Sequence, residues 1–304
     1  MPRMTAHDFD QELLILFDAY VHGGIDRRTF LDRAAKFAVG GITAAMLLEQ
    51  LSPRFAEAQV VRTDDGRINP EYLEFDSPSG YGKGRGYFVR PANATGKLPG
   101  ILVIHENRGL NPHIEDIARR VALDNFVAFA PDALFPLGGY PGDEDKARTL
   151  FPQLDREKTR ADFIAAAGFL KGRPECSGRI GAVGFCYGGG MVNFLATRLG
   201  GDLSAGVAFY GSAPDVADVP KIKAPLMIQS AEVDERINAS WPAFEEALKA
   251  AGVTYERHLY PGTQHGFNND TTPRYDAAAA MKSSRVLAWS SWGNRARALS
   301  SSPG

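Results

Sequence analysis

The stretch Gly184-Phe185-Cys186-Tyr187-Gly188-Gly189-Gly190 decides the fold. It joins an apolar run, Ile180 to Val183, to a second apolar segment, Gly188 to Leu199, with helical character. Strand, G-x-nucleophile-x-G turn and helix in that order form a nucleophile elbow, here with cysteine in the place of serine. Such a turn holds its nucleophile in strained backbone geometry. Side chains two residues before or after it would strike neighbouring strand and helix backbone, which accounts for Gly184 and Gly188. The N-terminus of the following helix then stabilises a thiolate and a developing oxyanion. The plainer alternative is a buried structural cysteine in a Gly-rich turn.

Chain order tests the elbow, because such a hydrolase carries an acid and then a histidine downstream. Glu232 and Asp234 follow the apolar run Leu226 to Gln229, and spacing alone leaves both open as the acid. His265 follows the next strand-like run, on Pro261-Gly262-Thr263-Gln264-His265-Gly266-Phe267. Both positions fall at strand C-termini, the edge where ligands bind in parallel sheets. His265 is therefore the expected base. Other histidines have plainer readings. His7 and His22 lie in the N-terminal segment, His113 on a helix surface, and His258 within a strand.

His105-Glu106-Asn107-Arg108-Gly109 ends the run Gly100 to Ile104. A zinc motif H-E-x-x-H would need histidine where Gly109 stands, so no metal is expected here, and no cofactor is implied. In an elbow hydrolase this loop supplies the second oxyanion donor, here the backbone N–H of Asn107 beside that of Tyr187. Glu106 and Arg108 are read either as a buried pair near the nucleophile or as an ordinary loop ion pair.

Outward from the elbow, buried-type strands alternate with helical patterns. Strands are expected at Arg85–Arg90, Gly100–His105, Phe126–Ala130, Arg179–Phe185, Ala205–Tyr210, Pro225–Ser230 and Tyr255–Tyr260. Helices are expected at Asn111–Leu123, Arg156–Gly172, Gly188–Leu199 and Ser240–Ala251, with a Gly/Pro-rich loop from Leu134 to Asp145. This alternation predicts an α/β-hydrolase fold, a mostly parallel central sheet with helices on both faces.

Composition agrees with that class. The chain has 304 residues, 44% hydrophobic and 23% charged, which excludes a disordered, collagen-like or coiled-coil protein. Its 34 basic and 36 acidic residues leave a net charge of −2, with no basic footprint for nucleic acid. Two cysteines, Cys176 and Cys186, make no disulfide framework. Cys176 reads as a surface-loop residue. No apolar stretch is long enough for an integral membrane span.

The first 58 residues read separately. Asp26-Arg27-Arg28-Thr29-Phe30-Leu31 precedes a mildly apolar run, Ala34 to Leu48, and then Ala56-Glu57-Ala58. Positive, apolar and small-residue regions in that order form a targeting pattern. It resembles a bacterial twin-arginine export signal, which implies the export machinery as a partner and a periplasmic or secreted protein. The long amphipathic stretch Phe9 to Val21 and Asp32 depart from that pattern. The alternative is an amphipathic helical hairpin packed on a cytoplasmic domain. Either way, residues 1–58 are set off from a domain at 59–304.

The set HENRGLNPHIEDIARR, GFCYGGG, the acid after LMIQSAEVD, and YPGTQHGF resembles the dienelactone hydrolase family, from about Glu74 to Asp276. The resemblance implies a triad of Cys186, His265 and Asp234, with Glu106 hydrogen-bonded to the resting thiol. It implies a small ester or lactone as substrate. Two positions depart. Asn269 stands where the family holds a substrate-binding arginine, with Lys146 or Arg148 as possible substitutes for a second one. After Val286-Leu287-Ala288-Trp289 the family's closing helix gives way to a Ser/Arg tail, as a frameshift would produce. Aromatic residues Phe135, Tyr140, Tyr187, Tyr210 and Phe267 are read as pocket lining or as core.

Overall fold

A computed structural model describes residues 4–286 of the chain. Among the described residues four α-helices come first: α1 (Gln11–Val21), α2 (Arg27–Ala34), α3 (Ala44–Leu51) and α4 (Phe55–Ala58). Then β1 (Ile68–Ser77), β2 (Gly82–Pro91), β3 (Leu98–Ile104), α5 (Pro112–Leu123) and β4 (Val127–Pro131) follow. The middle holds α6 (Glu144–Leu150), α7 (Arg156–Gly172), β5 (Cys176–Phe185), α8 (Tyr187–Leu199) and β6 (Leu203–Phe209). The chain continues with β7 (Leu226–Val233), α9 (Glu235–Asn238), α10 (Trp241–Ala250), β8 (Tyr255–Gln264) and α11 (Ala277–Val286).

The strands form one sheet in the order β1-β2-β4-β3-β5-β6-β7-β8. The β1–β2 and β2–β4 pairs are antiparallel, and every other pair is parallel. This is the expected α/β-hydrolase architecture. Side chains alternate along a strand, so one run feeds two cores. On β3, Leu102 and Ile104 pack with Phe163, Leu170 and Leu195, while Ile101 and Val103 pack with Ile114, Ala118 and Phe267. Both faces are thereby covered, which is why the parallel strands read as near-continuous apolar runs.

Helix starts follow local chemistry. Asn111 Oδ1 accepts from Ile114 N at 3.2 Å ahead of Pro112, and Asp155 Oδ1 accepts from Lys158 N at 2.9 Å. These caps satisfy amides that have no partner within the helix. Three readings change. The Leu134–Asp145 loop ends where α6 begins. His113 is buried on the inner face of α5, 3.3 Å from Asp270, because the amphipathic helix turns that position inward. Cys176 is 2% exposed within the core rather than in a surface loop, since it opens β5 beneath α7. Strand β1 is an addition, and the expected tail beyond Val286 lies outside the described residues.

The N-terminal segment is helical and packs on the domain. Asp26 Oδ1 accepts from Thr29 N at 2.7 Å, so the Arg27-Arg28 pair opens α2. The apolar run Ala34 to Leu48 is not one helix, because Gly40 and Gly41 take φ of +64° and +86° and break it. Leu13, Leu14, Phe17, Tyr20, Phe30, Leu47, Leu48 and Leu51 form a small core of their own. Val60 N and Val61 N donate to the Asp116 carboxylate, fastening the connection to α5. Among the described residues no helix is long and apolar enough to cross a membrane.

Candidate active site

Cys186 sits between β5 and α8 with φ 56° and ψ −112°, backbone that an L-residue adopts only under strain. The glycines permit the turn. A Cβ on Gly184 would lie 2.1 Å from Gly188 O, and one on Gly188 would lie 2.2 Å from Ile104 O. Cys186 N donates to Phe209 O at 3.0 Å, tying the elbow to β6. Cys186 caps α8 and Tyr187 is its first residue, so the Tyr187 N–H is one of the amides left without a partner inside the helix. Its ring stacks on His105, with centroids 6.0 Å apart, on the core side.

The strand ends bring the acid and the base together. Asp234 follows β7 and His265 follows β8, and Asp234 Oδ2 lies 2.6 Å from His265 Nδ1. Both are buried. Glu232 instead accepts from Gly262 N at 2.8 Å, so the carboxylate that His265 meets is that of Asp234. His265 Nε2 is buried without a hydrogen-bond partner, and a donor atom of His265 lies within 4.8 Å of Sγ.

A second imidazole reaches the sulfur from the N-terminal segment. His22, just beyond α1, places Nε2 3.2 Å from Cys186 Sγ. Its Nδ1 lies 2.8 Å from Asp18 O and 3.2 Å from Asp18 Oδ1. The sequence reading left His22 in an unrelated segment, and the structure corrects this. The available signal was Asp18 and His22 spaced i, i+4 on the last turn of a capped amphipathic helix. Asn107 Nδ2 and Arg108 Nη2 donate to Val21 O at 3.1 and 2.9 Å, and Arg274 Nη1 donates to Asp18 Oδ1 at 3.1 Å. Arg27 lies 3.4 Å from Asp145, to which Tyr20 also donates.

The auxiliary residues fall out differently from the sequence reading. Glu106 accepts from Asn269 Nδ2 at 2.9 Å, and His22 takes the place beside the thiol that the resemblance assigned to Glu106. Arg108 is buried 3.6 Å from Glu144, so its ion-pair partner is Glu144. Asn107 lines the cavity at Cys186, and its side chain holds the hairpin. That cavity encloses about 600 Å³ of empty space, open solvent at its mouth included. Phe17 and Tyr20 supply its aromatic wall, and Phe135, Tyr140, Tyr187, Tyr210 and Phe267 do not line it. Arg274, five positions beyond Asn269, brings a guanidinium to the same cavity.

Electrostatics favour a thiolate. Burial pushes the Cys186 thiol up, but the charges of His265 and His22 outweigh it and bring it down to about 6. Burial pulls His265 down, while the Cys186 thiolate and the Asp234 hydrogen bond hold it well above the usual histidine range. His22 is raised too: burial lowers it, and the Cys186 charge together with the contacts to Asp18 and Cys186 outweighs that. Both shifts run in the direction that favours a thiolate–imidazolium pair.

The Dienelactone hydrolase family model matches residues 85–290, and a YqhI-like model matches residues 1–36. A protein of Escherichia coli K12 named "Putative hydrolase fragment YghX" is 51% identical over 114 residues, 38% of this chain and 97% of that protein. A "Putative carboxymethylenebutenolidase" of Escherichia coli O157:H7 is 30% identical over 246 residues, 76% of this chain and 89% of that protein. A solved structure titled "Putative Dienelactone Hydrolase", from Klebsiella pneumoniae, superposes with a TM-score of 0.63 at 29% identity. It covers 73% of this chain and 98% of that one. The matched span contains the elbow, Asp234 and His265, and the chain belongs to the dienelactone hydrolase family.

Proposed function

We propose that the protein hydrolyses an ester or enol-lactone through a cysteine acyl-enzyme. The observation that carries this reading is the elbow cysteine beside an imidazole held by Asp234 at 2.6 Å. The Cys186 thiolate attacks the carbonyl carbon, and the oxyanion is met by the N–H groups of Tyr187 and Asn107. The His265 imidazolium protonates the leaving alkoxide as the carbon–oxygen bond breaks. Neutral His265 then takes a proton from water, and the resulting hydroxide attacks the thioester. Collapse expels the Cys186 thiolate and releases the acid, leaving the thiolate beside the imidazolium formed in that proton transfer. Asp234 fixes the imidazole tautomer throughout. A lactone's alkoxide stays tethered and recloses unless it is stabilised, so an enol leaving group suits a cysteine elbow.

The experiment compares an activated aryl ester, a thioester and an enol-lactone, with wild type beside Cys186→Ala. Loss of turnover in the variant supports the reading, and the rate ratios separate a lactonase from a general esterase or thioesterase. Turnover unchanged by the substitution overturns it by removing Cys186 as the nucleophile, and no turnover in folded wild type overturns it in favour of a non-catalytic fold.

The N-terminal segment is read as a retained part of this site, with the division near residue 58 as a boundary in packing. The support is the set of contacts from Asp18, Val21 and His22 to the catalytic face. Twin-arginine export with cleavage after Ala58 is the rival reading. Intact mass of the protein recovered from cytoplasmic and periplasmic fractions decides between them.

A further inference from the structure

The geometry points to a thiophilic metal site built from Cys186 Sγ, His22 Nε2 and His265 Nε2, suited to Zn²⁺, which closes the nucleophile reversibly. The donor atoms of the three residues all lie within 4.8 Å of one another, with His22 Nε2 3.2 Å from Sγ. Tetrahedral zinc with bonds of about 2.0–2.3 Å needs donor separations of roughly 3.3–3.6 Å, so small side-chain rotations complete the set. Each imidazole already has its far nitrogen against a carboxylate. His265 Nδ1 lies 2.6 Å from Asp234, and His22 Nδ1 lies 3.2 Å from Asp18. Carboxylate–histidine pairs of this kind orient metal-binding imidazoles and raise their basicity. They also leave Nε2 of both rings as the metal-facing atom, and His265 Nε2 is buried with no hydrogen-bond partner. One thiolate and two imidazoles suit zinc or copper and disfavour the oxygen-seeking ions magnesium and calcium.

The hairpin makes this a site rather than a catalytic pair. Without His22 the sulfur and His265 offer two ligands, too few for a stable closed set. With His22 docked there are three, and the fourth position remains for water. The ion would occupy both groups that hydrolysis uses. Its inhibitory consequence rests on the proposed function, whereas the binding itself does not.

The test titrates Zn²⁺ into the reduced full-length protein against a chromophoric chelator, and records Co²⁺ spectra of the same protein. One Zn²⁺ per chain is expected, with a thiolate-to-cobalt charge-transfer band that Cys186→Ser removes; this variant keeps Cys176 as the internal control. His22→Ala should weaken zinc binding at least about 100-fold, and Asp18→Asn, which spares all three ligands, about tenfold. Absence of 1:1 binding by wild type, or unchanged affinity in His22→Ala, overturns the site. Zinc binding in a protein that hydrolyses no ester would sink the hydrolase reading alone. Hydrolysis measured in chelator by a protein that binds no zinc would sink this inference alone.

Discussion

His22 Nε2 and Cys186 Sγ, 164 positions apart in the chain, are 3.2 Å apart in space. The two imidazoles at the sulfur meet edge to face, with the His22 and His265 ring centroids 4.6 Å apart and their planes at 86°. Cys186 is therefore flanked by the N-terminal hairpin on one side and by the Asp234–His265 pair on the other. Cys186 is only 8% exposed. On the proposed function, a substrate carbonyl approaching Sγ would meet His22 at the wall of the same cavity.

That relationship makes Asp145→Ala informative. Asp145 lies outside the triad, yet it pairs with Arg27 and accepts from Tyr20. An exposed ion pair contributes up to about 1 kcal/mol, and a hydrogen bond to a carboxylate about 1.5–3 kcal/mol. Losing both should loosen the hairpin and raise the alkylation rate of Cys186 by iodoacetamide about tenfold. Peptide mass spectrometry separates Cys186 from core-buried Cys176. A rate equal to that of wild type would show that Asp145 does not hold the hairpin down.

The pH dependence follows from the thiol. Held at about 6, Cys186 is mostly thiolate at neutral pH. Below that value it gains a proton and loses nucleophilicity. The sign is fixed: kcat/KM for an activated ester, measured with chelator present, should fall about tenfold per pH unit below 6 and stay flat through 7–8. An unperturbed thiol, at about 8.5, would give a rate still rising through 8.

Much of the site was legible because the fold places strand ends at one edge. Cys186, His265 and the acids Glu232 and Asp234 each follow an apolar run, so chain order placed them at one rim and left the choice of acid open. Helix α7 was readable to the residue, since Asp155 caps it and Arg173-Pro174 cannot continue it. Strand β1 was not, because Glu71, Tyr72 and Glu74 face outward on an edge strand and break the apolar signal. His22 was hidden for another reason. A capped short helix beginning Asp26-Arg27-Arg28 and a leader's basic region use the same residues, and only tertiary packing carries the hairpin to the sulfur. Asn269 shows the limit of position-by-position transfer. In the structure Asn269 donates to Glu106, while Arg274, further along the loop, brings a guanidinium to the same cavity.

The acids at the end of β7 should separate cleanly. Asp234→Asn keeps the shape but removes the charge that holds the His265 tautomer, and should lower kcat by about 10³–10⁴-fold. Glu232→Gln touches only the contact to Gly262 N on an exposed turn, and should change kcat less than about twofold. Equal losses in the two variants would reassign the acid.

Gly188→Ala tests the elbow itself. The added methyl would lie 2.2 Å from Ile104 O and 2.8 Å from His105 O, both backbone atoms of the central strand and its end. Neither can rotate away, so α8 must retreat from β3 and take the Tyr187 N–H with it. A clash of this kind falls among the named causes of losses above about 4 kcal/mol. The expected result is a protein that unfolds at much lower denaturant concentration and shows no measurable acylation. Gly168→Ala on α7 is the control, because a methyl there meets nothing within 4 Å. Within a helix that change should leave stability equal or raise it by up to about 1 kcal/mol. If Gly188→Ala were as stable and as active as wild type, close packing of the elbow against β3 would not be what requires glycine at that position.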